Sequence, residues 1–307
     1  MQADSRQPTW LVTGANGFLG ANLGAFLDGR AHRVGLTRDG SRPGLFDEGL
    51  QGEFTEHAEL FDAVDRLRPD VIINSAAMAS HEECERSPER AGMVNSVAAG
   101  ELAEAASLVG AIFVQISTDA VFDGARGNYS ETDEPEPFST YGRTKLDGER
   151  AVADRADALI LRTNFFGWSP TGQSSILEFF VNELSQGHHV HGFTDFFVTS
   201  GYAPSVCDAI WRLVTLGTTG ILHVTSTDSL SKYEFGRAVA EEFGLPIELI
   251  NPAASNVHPS RNRDISLDVH RAEALLGARL ATQREGIARA KADSGGLRST
   301  LAGSLHP

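Results

Sequence analysis

Trp10-Leu-Val-Thr-Gly14-Ala-Asn-Gly17-Phe-Leu-Gly20 is the stretch that decides how this chain folds. Trp10 to Val12 is a short apolar run that stops at a glycine loop. Phe18, Leu19, Leu23, Phe26 and Leu27 then recur at helical spacing. That order predicts a strand, a tight turn and a helix. The three glycines, spaced G-x-x-G-x-x-G, have different uses. Gly14 suits a sharp turn. Gly17 lets an anionic group approach the backbone at a helix N-terminus. Gly20 lets the helix pack closely on the strand.

The same alternation continues downstream. His32 to Thr37 is a second strand. Glu59 to Leu67 is a helix with Leu60, Ala63, Val64 and Leu67 on one face, and Pro69-Asp70 breaks the chain after it. Val71 to Asn74 is a strand, Met93 to Leu108 an alanine-rich helix, and Ala111–Ile116 and Ala158–Arg162 are further strands. Most of these strands are continuous apolar runs, as in a parallel sheet covered on both faces. The predicted fold is α/β, a doubly wound parallel sheet (Rossmann) with a smaller C-terminal substrate lobe. Beyond residue 165 the pattern loosens, with helices over Ser174–Leu184 and Ser231–Phe243 and a strand over Gly220–Thr225. Residues 8–165 are expected to form the dinucleotide-binding domain, with 194–228 returning to it. Residues 166–193 and 229–291 form the lobe, and 292–307 a mobile tail.

Composition narrows the function. The chain has 307 residues, 41% hydrophobic and 22% charged, within the globular range. A net charge of -15 argues against nucleic-acid binding, which needs a cationic surface. Cys84 and Cys207 form no C-x-x-C and are expected to be buried small residues. Met1 to Pro8 lacks an apolar signal core, and no run of membrane-spanning length occurs. The expected location is cytoplasmic, with no membrane partner. A homodimer is left open.

The glycine loop, lying between a strand and a helix, predicts a dinucleotide site built from Gly14, Asn16, Gly17, Phe18, Leu19 and Gly20. The end of the second strand sets the cofactor. An acid there holds a ribose 2′-hydroxyl, and an arginine suits a 2′-phosphate. Arg38 favours NADPH, while Asp39 keeps NADH open. Tyr141-Gly-Arg-Thr-Lys145 puts a phenol and an ammonium four residues apart on one helix face. A neighbouring ammonium lowers a phenol pKa, so Tyr141 is a candidate proton donor to a carbonyl. Thr118, just after the strand Ala111–Ile116, would hold the carbonyl oxygen.

These segments resemble the extended short-chain dehydrogenase/reductases, and within them the dTDP-4-dehydrorhamnose reductases. The resemblance rests on the glycine loop, Arg68-Pro-Asp-Val-Ile-Ile-Asn74, Ser87-Pro-Glu89 before Val94-Asn95, Ile116 to Gly124, and Tyr141 to Glu149. It implies Thr118, Tyr141 and Lys145 as a catalytic trio. It also implies Ala76 and Ala77 beside the cofactor with Asn95 supporting them, and Glu53 where relatives often place an Asp near the adenine. Ser117, Asp119, Asn164, Phe165 and Arg261 are the candidate substrate contacts. The chain departs from the pattern at Arg162-Thr-Asn-Phe165, Gly201-Tyr-Ala-Pro204-Ser205 and Arg261 to Asp268, the regions expected to meet substrate.

The implied activity is NADPH-dependent reduction of a nucleotide-linked 4-keto-deoxysugar. One alternative is a nucleotide-sugar epimerase or dehydratase that retains NAD. Dehydratases usually carry an acidic pair after the Thr, and here Thr118-Asp119 is followed by Ala120. Another is a non-catalytic NADP-binding regulatory subunit; such proteins often lose the Tyr or Lys kept here. His188, His189 and His191 lack partners at ligand spacing and are expected to be exposed imidazoles in a loop. Phe193, Phe196 and Phe197 are expected in the core, and the acidic run Glu131–Glu136 in a solvated loop.

Overall fold

The computed structural model describes residues 6–38, 44–53, 57–255 and 263–304. Its first half runs β1 (Thr9–Thr13), α1 (Phe18–Phe26), β2 (His32–Thr37), β3 (Glu48–Gln51), α2 (His57–Leu67), β4 (Val71–Asn74), α3 (His81–Arg86) and α4 (Pro88–Gly92). A π-turn (Met93–Val97), α5 (Ala98–Val109), β5 (Ile112–Thr118), α6 (Thr140–Ala153) and β6 (Leu159–Thr163) follow. The second half holds β7 (Phe165–Phe166), α7 (Ile176–Ser185), β8 (Val190–Phe193), β9 (Phe197–Val198), β10 (Gly201–Tyr202), α8 (Ala203–Thr215) and β11 (Gly220–His223). It closes with β12 (Leu230–Ser231), α9 (Lys232–Phe243), β13 (Ile250–Ala253), α10 (His270–Leu276), α11 (Gln283–Ala292) and α12 (Leu297–Gly303).

Seven strands form one sheet in the order β11-β6-β5-β4-β1-β2-β3, and every pairing in it is parallel. The continuous apolar strands are explained by alternation, because successive side chains point to opposite faces. Leu11, Ile72, Phe113 and Ile160 enter the core under α2 and α5. Trp10, Val12, Ile73, Val114 and Leu161 enter the core on the other face, with Leu213 of α8. Trp10 stacks on Trp211 there, with ring centroids 5.0 Å apart. The strand order turns back between β1 and β4, and a crevice opens beyond their C-terminal ends, where such sheets bind ligands.

The structure differs from expectation in several places. The helix read over Met93–Leu108 opens with a π-turn, a feature frequent at functional sites. The tail read as mobile carries α12. Leu297 and Leu301, four residues apart, give it an apolar face; Leu301 is fully buried, and the Gly44 N–H donates to the Ser304 carbonyl (3.1 Å). Phe193, Phe196 and Phe197 are half-buried rather than core, and the Lys232 ammonium lies over the rings of Phe193 and Phe196. His191 lies in β8 rather than a loop. His188 and His189 are exposed, and His188 pairs with Glu183 (2.9 Å). Among the described residues no cluster could hold a metal ion, and no helix is long and apolar enough to cross a membrane. Cys84 and Cys207 are buried and unbridged.

Candidate active site

Two parts of one edge make the site. The first is a cleft of about 960 Å³ lined by Gly14, Asn16, Gly17, Leu36, Arg38, Glu53, Ala76 and Ala77, among others. Gly14 sits at φ +65°, a left-handed conformation disfavoured for other residues, and a Cβ there would lie 2.9 Å from the Ala76 backbone. A Cβ on Gly20 would lie 2.2 Å from the Gly14 carbonyl oxygen. The loop is therefore pressed against the chain leaving β4, with Gly17 as the N-cap of α1.

Side-chain amides and hydroxyls tie the strand ends together. Thr13 Oγ1 donates to Asn74 Oδ1 (2.6 Å), and Asn74 Nδ2 donates to Gln115 Oε1 (2.9 Å). Ser75 Oγ donates to the Thr13 carbonyl (2.6 Å), and the Ala76 N–H donates to Thr13 Oγ1 (3.2 Å). These buried bonds set the rim height at β1, β4 and β5.

Some expected cofactor contacts fall elsewhere. Leu19 is buried in the core, and Gly20 packs under the loop. Phe18 meets Phe165 edge-on, with centroids 5.2 Å apart. Asn95 is a brace: its Oδ1 accepts from the Met78 N–H (2.8 Å), and its Nδ2 donates to the Met78 carbonyl (3.1 Å) and Thr144 Oγ1 (3.0 Å). The π-turn swings that amide between the β4 exit and α6.

The second part is the trio. Thr118 is the last residue of β5, not beyond it. Tyr141 and Lys145 lie on the first turns of α6. That helix is fixed tightly. Ser139 Oγ accepts the Gly142 N–H (3.1 Å), and the Glu85 carboxylate accepts from the Thr140 N–H (2.8 Å) and hydroxyl (2.7 Å). A Cβ on Gly142 would lie 2.1 Å from the Ala120 carbonyl oxygen, and one on Gly148 would lie 2.2 Å from that of Asn95. Glycine at both positions lets α6 press onto the strand end.

Lys145 is buried and donates from Nζ to the Ile116 carbonyl (2.6 Å). Burial pulls its pKa down to about 8, against the opposing pull of Glu149. Tyr141 hydrogen-bonds to the Thr118 hydroxyl. Burial pushes the phenol up to about 12, the Thr118 bond opposes this, and the negative charge of Asp119 adds to it. In the protein alone the phenol is therefore raised rather than lowered, because desolvation dominates. Asp119 is also buried and is pushed up to about 6 by loss of water, although Asn164 and Thr118 hydrogen-bond to it. Thr118 Oγ1 donates to Asp119 Oδ1 (3.1 Å), and Asn164 Nδ2 donates to Asp119 Oδ2 (2.8 Å).

Asp119, Asn164 and half-buried Phe165 thus come together near the trio. Ser117 does not join them: its buried hydroxyl donates to Glu149, which forms a buried ion pair with Arg162 (2.7 Å). The proposed substrate contact at Ser117 is corrected accordingly, since its donor is already committed. Arg261 and Asp39 lie outside the described residues.

Sequence reading missed His81, whose ring lies 4.9 Å from that of Tyr141, and the α6 anchor Glu85. It also missed Glu83, Arg86, Ser87 and Arg90 on the cleft wall. The glycines inside the Tyr141–Glu149 helix were the available signal for close packing.

The RmlD substrate binding domain model matches residues 9–294. A probable low-salt glycan biosynthesis reductase, Agl14 of Haloferax volcanii, is 35% identical, with 92% of this chain and 96% of that protein covered. Methionine adenosyltransferase 2 subunit beta of Bos taurus is 30% identical over 86% of this chain and 81% of its own length. The crystal structure of a hypothetical dTDP-4-dehydrorhamnose reductase from Sulfolobus tokodaii is 32% identical. It superposes with a TM-score of 0.80, over 91% of this chain and 98% of that one. The chain belongs to the RmlD substrate binding domain family and is an extended short-chain dehydrogenase/reductase resembling dTDP-4-dehydrorhamnose reductase.

Proposed function

We propose that this protein is an NADPH-dependent reductase of a nucleotide-linked 4-keto-deoxysugar. The observation that carries the proposal is the convergence of Thr118, Tyr141 and Lys145 at the C-terminal end of β5. The cleft beginning at Gly14 lies on the same edge, with only β4 between β1 and β5. The residues present fit a dinucleotide: Gly14 and Gly17 leave the backbone open to a pyrophosphate, and Arg38 lines the same cleft at the end of β2, where it would meet the ribose end.

The nicotinamide, when bound, supplies hydride chemistry. The chain supplies the proton. Tyr141 holds one on its phenol oxygen throughout the neutral range and gives it to the carbonyl oxygen of the substrate. Thr118 fixes the direction of the phenol. Lys145, held by the Ile116 carbonyl, places a positive charge that favours the oxygen as it gains negative character. Asn164 and half-buried Phe165 are the proposed sugar contacts, with buried Asp119 holding Asn164 in place.

A test is to offer purified protein NADPH with a panel of nucleotide-linked 4-keto-deoxysugars. Stoichiometric NADPH oxidation and a reduced sugar are expected. Protein that retains NAD and returns it unchanged after turnover would make the epimerase or dehydratase reading correct.

The 30% likeness to methionine adenosyltransferase 2 subunit beta favours a second reading, a non-catalytic cofactor-binding subunit. It predicts cofactor binding without turnover and a stable partner protein. Retention of Thr118, Tyr141 and Lys145 supports the enzyme.

A further inference from the structure

The cleft has a wall that the glycine loop does not account for. Helices α3 and α4 supply Glu83, Arg86 and Arg90 to it, with Ser87 between the helices, in the same lining as Gly14, Gly17 and Arg38. Most other arginines of the chain are occupied. Arg33 holds Asp47, Arg68 holds Asp65, Arg162 holds Glu149 and Arg279 holds Glu285. Among the described residues, the side chains of Arg38, Arg86 and Arg90 have no hydrogen bond or ion pair. Three unpaired guanidinium groups thus line one cleft of a chain whose net charge is -15.

A guanidinium recognises phosphate by paired, charge-assisted hydrogen bonds. The pyrophosphate of a dinucleotide is already served by the backbone at Gly14–Gly17 and the start of α1. Arg38, at the end of β2, marks the ribose end. Glu53 and Glu83 also line the cleft, so the five charged groups sum to one positive charge. A carboxylate suits the amino group of adenine and leaves the arginines for an anion.

We propose that Arg86 and Arg90 form the second half of a 2′-phosphate clamp. They close on the adenosine ribose phosphate from the α3–α4 wall, while Arg38 meets it from β2. The inference rests on the cofactor reading above and extends it to residues outside the strand-end position.

The test is equilibrium binding, without turnover, for wild type, Arg86→Ala, Arg90→Ala, the double variant and Arg86→Lys. The probes are NADPH, NADH, 2′,5′-ADP and 5′-AMP. The double variant is expected to lose at least tenfold in affinity for NADPH and 2′,5′-ADP, with NADH and 5′-AMP within twofold of wild type. Arg86→Lys should lose less than Arg86→Ala. The salt dependence of NADPH binding should also shrink. Equal weakening of NADH and NADPH would overturn the clamp and place the arginines on the pyrophosphate. Unchanged binding of both would leave them as solvated charges and overturn it too. Failure of the underlying cofactor reading looks different, because wild type would then bind none of the four. A thermal melt of each variant confirms that the fold is kept.

Discussion

Lys145 and Asp119 titrate toward each other, from opposite sides of neutrality. Burial brings the ammonium down to about 8 and the carboxyl up to about 6. The phenol at about 12 keeps its proton across that window. For reduction, kcat/KM is therefore expected to be bell-shaped, since it reports groups of the free enzyme. The alkaline limb near pH 8 follows loss of the Lys145 charge. The acid limb near pH 6 follows protonation of Asp119, which then ceases to be an anion holding Thr118. Asp119→Asn should remove the acid limb and keep the alkaline one. The linkage sign is also fixed. The folded protein releases the Lys145 proton at a lower pH than the unfolded chain, so stability from this group rises between about pH 8 and the ordinary lysine value. At this scale the trio was legible, because a phenol and an ammonium at helical spacing need no tertiary information to share a face. The commitment of Ser117 to Glu149 was not, because Glu149 is brought to it only when α6 packs on β5.

Close packing of α6 places the trio, so glycine at two of its positions is expected to be indispensable. Gly148→Ala puts a Cβ 2.2 Å from the Asn95 backbone oxygen in the π-turn. The expected cost is about 1–3 kcal/mol in thermal or denaturant unfolding, the range for overpacking. A fall in kcat should accompany it as Tyr141 moves off Thr118. Gly92→Ala is the control: it has open space and a helical φ of −60°. That variant should be neutral or slightly stabilised. Strands with strong apolar runs were legible as elements. Helix α8 was not, although Val206, Ile210, Leu213 and Val214 lie on one buried face, because Pro204 interrupts the pattern. Proline is tolerated there, in the first turn. Edge strand β3 carries no apolar run, since it pairs only with β2 and is half exposed. The α3–α4 wall was equally hidden: nothing in local spacing ties Arg86 and Arg90 to the glycine loop, and only the fold brings them into one cleft with it.

Across the molecule, the buried Arg162–Glu149 pair joins α6 to β6 and so couples the helix of the trio to the sheet. Arg162 also lies over the Phe122 ring, 5.1 Å from its centroid. Removing one partner leaves a buried charge alone. Glu149→Leu is therefore expected to cost about 3–5 kcal/mol in chemical unfolding, and Glu149→Leu with Arg162→Met to recover most of it. The alternation of strands and helices made the sheet legible as a whole. The small strand pairs β7–β10, β8–β13 and β9–β12 were not, because two- to four-residue strands carry too little pattern.

The proton from Tyr141 is the step on which the reductase assignment turns. It is tested most directly in a single turnover of protein mixed with NADPH and a nucleotide-linked 4-keto-deoxysugar, comparing wild type with Tyr141→Phe. Loss of reduced-nicotinamide absorbance is expected to slow by about 10²–10⁴-fold in the variant, with NADPH affinity unchanged. Turnover at the wild-type rate in Tyr141→Phe would contradict the assignment.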